Sequence, residues 1–139
     1  MAFFLPPSFR IVENALDAAT LRQRVIANNI ANVDTPGYKT QRVEFESILK
    51  EALQEDKPTP FIGKRTDPRH LSIGTAGGPE EVRARVSTDP TTWVENNGNN
   101  VDVEYEMTKM AENQIWYNAL VEETNSFFTR LREVIKEGR

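Results

Sequence analysis

The residues of this chain that could do chemistry are few. His70 is the single histidine, set in Thr66-Asp67-Pro68-Arg69-His70-Leu71, where a general-base reading would lean on Asp67. Three residues in a loop do not make a catalytic constellation, and no serine or cysteine nucleophile is signposted, so His70 reads as a surface loop residue. Asn97-Gly98-Asn99-Asn100-Val101-Asp102 offers oxygen-bearing side chains in a turn. It lacks the spaced acidic ligands and the closing glutamate of a calcium loop, and reads as a turn leading into a helix. Met107, Met110, Trp116, Tyr117, Phe127 and Phe128 could be imagined around a cofactor. At helical spacing, with no glycine-rich phosphate loop beside them, they read as packing residues. The expectation is a protein with no catalytic residue, no metal site and no cofactor.

The chain as a whole sets the same bounds. Its 139 residues suffice for one modest core. A formal charge of −4 argues against nucleic acid or an anionic membrane as partner. The absence of cysteine excludes a disulfide scaffold and thiolate metal sites. Met1-Ala2-Phe3-Phe4-Leu5 is apolar but is stopped by Pro6-Pro7, with no basic segment before it and no small-residue cleavage site after it. It reads as neither a signal peptide nor a membrane anchor.

The elements that must hold these residues are read from periodicity. Val12, Leu16, Ala19, Gln23, Ile26, Ile30 and Val33 alternate in steps of four and three, a heptad seam broken once by Gln23. Ala18, Leu21 and Val25 widen it. These spacings predict a helix from Ser8, as N-cap, to about Val33, roughly 38 Å long. A second helix begins at Asp102, whose carboxylate caps it, with Glu104 and Glu106 in the positive field of its first turn. Its seam is Met107, Met110, Gln114, Tyr117, Val121, Thr124, Phe128, Leu131 and Ile135, widened by Ala111, Leu120, Phe127 and Val134, over roughly 50 Å. Between them, Thr40 to Leu53 fits a short amphipathic helix. Residues 56 to 100 hold most of the prolines and glycines; there Val82–Val86 and Thr91–Val94 predict a small hairpin.

The fold class expected is therefore mainly α: two long terminal helices forming an antiparallel coiled-coil-like pair, with a short middle helix and a small loop-rich β segment. Residues 1–55 and 97–139 form a helical assembly domain, and 56–96 a loop-rich insertion with the hairpin. Each seam carries a flanking apolar line. A lone helix pair would thus leave a hydrophobic band in water, as an oligomer interface does, and head-to-tail contacts that do not close give a filament or tube.

At the end of the first helix the chain reads Ala-Asn-Asn-Ile-Ala-Asn-Val-Asp-Thr-Pro-Gly-Tyr, residues 27–38. Asn28 and Asn32 share a face and can serve the free carbonyls of the helix end, while Asn29 points another way. Thr35-Pro36-Gly37 stops the helix, with Gly37 free to take positive φ, and Tyr38 re-enters as an anchor. This stretch resembles the signature near the N-terminus of bacterial flagellar axial proteins, the rod, hook and hook-associated family. Gly98 to Met107, followed by Asn113-Gln114 and Tyr117-Asn118-Ala119-Leu120, is similar to the small proximal-rod members. The resemblance covers roughly residues 8 to 55 and 97 to 137.

The resemblance implies a structural subunit of the proximal rod of the bacterial flagellar basal body, on the periplasmic side of the inner membrane, exported by the flagellum's own type III apparatus without a cleaved signal peptide. Its implied partners are other copies of itself, neighbouring rod proteins, the junction protein between membrane ring and rod, and the export gate, with no nucleic acid and no small-molecule substrate. The assembly residues expected are Leu16, Ile26, Asn28, Asn29, Ile30, Asn32, Val33, Pro36, Gly37 and Tyr38 on the first side of the corner. On the second they are Val101, Asp102, Met107, Met110, Tyr117, Val121, Phe128 and Leu131. The competing readings are a soluble helical adaptor or export chaperone, and the other small proximal-rod protein.

Overall fold

In a computed structural model, the structure describes residues 6–54, 79–90 and 98–137. Helix α1 runs Pro7–Ala31. Its N-cap is Pro6 and Pro7 occupies the first turn, so the Ser8 cap expected from sequence is not used and no side chain caps this end. A proline there is well suited, since its fixed φ is helical and its missing N–H would be unpaired anyway. The helix stops at Asn32, and the chain leaves through a tight turn in which Tyr38 N–H donates to the Thr35 carbonyl at 3.2 Å. Gly37 takes φ 73°, as expected from Pro36-Gly37 at the centre of a turn.

The single helix expected over Thr40 to Leu53 is instead a strand followed by a helix: β1, Gln41–Glu44, then α2, Glu46–Gln54. The physical reason is pairing. Gln41, Val43 and Phe45 alternate with charged residues, and this period-two pattern finds a partner in β2, Arg85–Thr88, which runs antiparallel with Val43 opposite Val86. The expected strand near Val82–Val86 thus exists, shifted toward Thr88, but its partner is β1. The other half of the expected hairpin, Thr91–Val94, lies outside the described residues, as do Asp67 and His70. A short 3-10 turn, Pro79–Glu81, precedes β2 and packs on α1.

Helix α3, Val103–Glu137, is capped as expected: the Asp102 carboxylate accepts from the amides of Glu104 at 3.0 Å and Tyr105 at 3.2 Å. It lies antiparallel to α1. Asn29 near one end of α1 meets Glu106, Ala19 meets Asn113, and Phe9 near the other end meets Phe127 and Phe128.

The pairing departs from the expected heptad seams. On α1 both apolar lines are used, with Ala18, Ala19, Val25 and Ile26 buried. On α3 the buried positions are Glu106 and Asn113, seven apart and one residue off the predicted line, while Met107 is 60 % exposed. Contacts polar enough to need their partners hold α3 in place at one end, and aromatic packing holds it at the other. The apolar core is completed by Val43, Phe45 and Val101 at the junction of α1, β1 and the start of α3.

Candidate assembly site

The corner after α1 is built around Asn29, which is completely buried and uses both ends of its amide. Nδ2 donates to the Gln41 carbonyl at 2.8 Å and to Glu106 Oε2 at 3.1 Å; Oδ1 accepts from the Gln41 amide at 3.1 Å and from the Tyr38 hydroxyl at 3.2 Å. The side chain thus pairs with both backbone groups of Gln41 much as a neighbouring strand would. Glu106, itself buried, is the group that ties α3 into this arrangement. Burial first, and the Glu106 carboxylate second, push the Tyr38 phenol above its ordinary value, so its hydroxyl stays protonated as a donor.

Two further asparagines close the corner from the α3 side. Nδ2 of Asn99 lies 2.9, 2.8 and 2.9 Å from the carbonyls of Asn32, Val33 and Thr35 at the helix end and turn, two of which also accept a backbone amide of the turn itself. Its Oδ1 accepts from the Val101 amide at 2.7 Å. Asn100 Oδ1 accepts from the Thr40 amide at 2.7 Å and hydroxyl at 2.9 Å, and its Nδ2 donates to the Asp89 carbonyl at 3.0 Å. Lys39 adds a bond from Nζ to the Gly98 carbonyl at 2.8 Å. Four segments remote in sequence are thereby fastened by side-chain amides: the end of α1, the start of β1, the end of β2 and the approach to α3.

Midway along the helix pair, Asn113 Nδ2 donates to the Ala19 carbonyl at 2.9 Å and to Gln23 Oε1 at 3.1 Å. Gln23, the residue that interrupts the apolar seam in the sequence, is therefore the polar partner of a buried residue on α3. Asn113 Oδ1 is buried with no hydrogen-bond partner among the described residues. One turn along α1 from Ala19, Arg22 Nη2 reaches both carboxylate oxygens of Glu46 at 2.8 and 2.6 Å. The guanidinium of Arg42 stands 4.9 Å from the centre of the Tyr105 ring.

The expected assembly residues fall into three groups. Asn29, Ile26 and Val101 are buried within the chain; Asn32, Val33, Tyr38, Leu16, Ile30, Met110, Val121 and Leu131 are half-buried. Asn32 caps its own helix, Nδ2 to the Asn28 carbonyl at 2.8 Å. Asn28, Pro36, Gly37, Asp102, Met107, Tyr117 and Phe128 are exposed. The structure adds residues that spacing did not single out. Glu106, Asn99, Asn100 and Asn113 carry the internal bonds. Ile115, 71 % exposed, is an uncovered apolar side chain, and so is Trp116, 58 % exposed, although its helical spacing marks it as a packing residue. Ile115 sits two residues past Asn113, on the far side of α3 from α1. The available signals were the second asparagine cluster at 97–100 and an isoleucine off the seam in an otherwise polar register.

Comparison with known proteins gives this arrangement a family. Residues 9–39, which are α1 and the corner, match the family model described as flagella basal body rod protein. The whole chain is similar to the flagellar basal body rod protein FlgB of Bacillus subtilis (strain 168), with 42 % identity over 92 % of this chain and 92 % of that protein. It is 37 % identical to FlgB of Borreliella burgdorferi over 87 % of this chain and 90 % of that protein, and 28 % identical to FlgB of Escherichia coli (strain K12) over 96 % of each. The chain belongs to the flagellar basal-body rod proteins. Within that class, the member its relatives represent is FlgB.

Proposed function

We propose that the protein is a structural subunit of the proximal rod of the bacterial flagellar basal body, with no enzymatic activity of its own. The observation that carries this is end-to-end similarity to FlgB proteins, reaching 42 % identity. The apolar side chains left uncovered on α3 support it, because Ile115, Trp116 and Met107 are the surface a neighbouring subunit would bury. On this reading the partners are further copies of the chain and the rod proteins beside it. At the base, the junction with the membrane ring and the export gate lies next to the first subunits. Export proceeds through the flagellar apparatus with no cleaved signal peptide, and the site of action is the periplasmic side of the inner membrane.

The adaptor or chaperone reading has no comparable support, since the relatives described above are rod proteins. Mass spectrometry of purified basal bodies tests the proposal. A rod subunit remains with the basal body after soluble and membrane proteins have been extracted, whereas an adaptor is washed away with the cytoplasmic fraction.

A further inference from the structure

The face of α3 that meets α1 does not end where α1 ends. Phe127 and Phe128 rest on Phe9, with ring centres 4.6 and 5.5 Å away, and half-buried Leu131 is the next residue on that face. One turn further on, Val134 and Ile135 straddle the same direction. They are 67 % and 60 % exposed, because α1 has by then run out at Pro7. Pro6, the first described residue, lies at this end of the pair, and the sequence before it reads Ala2-Phe3-Phe4-Leu5.

We propose that Phe3, Phe4 and Leu5 dock within the same chain on the α3 stripe formed by Leu131, Val134 and Ile135. Length permits it. Five residues of extended chain reach about 16 Å, whereas Leu131 to Glu137 spans about 9 Å of helix. Position favours it, since α1 is antiparallel to α3 and Pro6 therefore stands at the end of the pair from which α3 runs on toward Glu137. Chemistry favours it as well: an apolar segment meets the apolar side of an otherwise charged helix end, extending the aromatic contact that Phe9 begins. The inference concerns the subunit by itself and does not rest on the rod assignment.

Two measurements on the full chain in dilute solution test the docking. The chain has no cysteine, so Phe4→Cys with Val134→Cys gives a single possible pair, and mild oxidation is expected to close a disulfide within one molecule. Amide exchange is then compared between the unmodified chain and a Phe3→Ser, Phe4→Ser variant. Exchange over residues 131–137 should quicken by about fivefold or more with the loss of the two apolar contacts, while residues near Asn29 and Glu106 keep their protection and show that the variant folds. Unchanged exchange over 131–137 would overturn the proposal. So would a disulfide found only between two chains, since the stripe would then be covered by a second copy.

Discussion

The amide of Asn29 and the carboxylate of Glu106, 77 positions apart in sequence, meet at 3.1 Å in the interior of the corner. This contact locks the start of α3 to the end of α1, and both residues are almost entirely shielded from water. A buried carboxylate is tolerated where donors meet it, and a buried amide where both of its ends are used. The corner therefore acts as one polar unit whose members depend on each other.

Replacing Asn29 with alanine strands Glu106 and the backbone groups of Gln41. The expected loss is about 2–4 kcal/mol of unfolding free energy. Asn29→Asp should be at least as damaging, because it sets a second carboxylate against Glu106 without a cation between them. Urea melts of the two variants beside the unmodified protein measure both effects.

Asn99→Ala removes the amide that serves three carbonyls at the end of α1. A loss of about 1–3 kcal/mol is expected. Amide exchange should localise the effect to residues 32–38 and to the first turn of α3, leaving the aromatic end at Phe9 and Phe127 protected.

Gly37→Ala separates backbone strain from side-chain contact. Open space surrounds the position where a Cβ would stand, so no clash contributes. The positive φ alone should cost about 1 kcal/mol, visible as a lowered urea midpoint with an unchanged slope.

Glu46 gives a pH signature. Burial alone would raise its carboxyl, but the hydrogen bond from Arg22, backbone amides and the Arg22 charge together hold it below the ordinary carboxylate value. A folded value below the unfolded one means that the stabilisation is complete above the unfolded value of about 4.3 and is lost as pH falls through the folded value. Because the Glu46 side chain is 59 % exposed, solvent screening limits the contribution to under about 1 kcal/mol. Glu46→Gln should therefore be slightly less stable than the unmodified protein at neutral pH, and the gap should close in acid as pH falls through the lowered folded value of Glu46.

Much of this fold was legible from residue order. The two long helices, the Asp102 cap, the turn at Pro36-Gly37 and the packing role of Phe45 follow from periodicity and local chemistry, which act over a few residues. The pairing of Gln41–Glu44 with Arg85–Thr88 was not legible, because an alternating tetrapeptide fits a helix as well as a strand until a remote partner selects one. By sequence Glu106 is a charge in the first turn of its helix, and the buried amide that binds it is brought near only by the corner. Gln23 is a break in the seam by spacing alone, and only the helix pairing supplies Asn113 as its partner.

As a structural part of the proximal rod the protein must be buried among neighbours, and Ile115 gives a test of this that leaves the corner alone. Ile115→Glu should change stability by less than about 0.5 kcal/mol, because the side chain already faces water. Motility should nevertheless be lost if that face is buried between subunits. The most direct measurement is electron microscopy of basal bodies from a strain lacking the gene. Membrane rings without a rod are expected, with rods restored by the unmodified gene. Intact rods in the deletion strain would contradict that structural role.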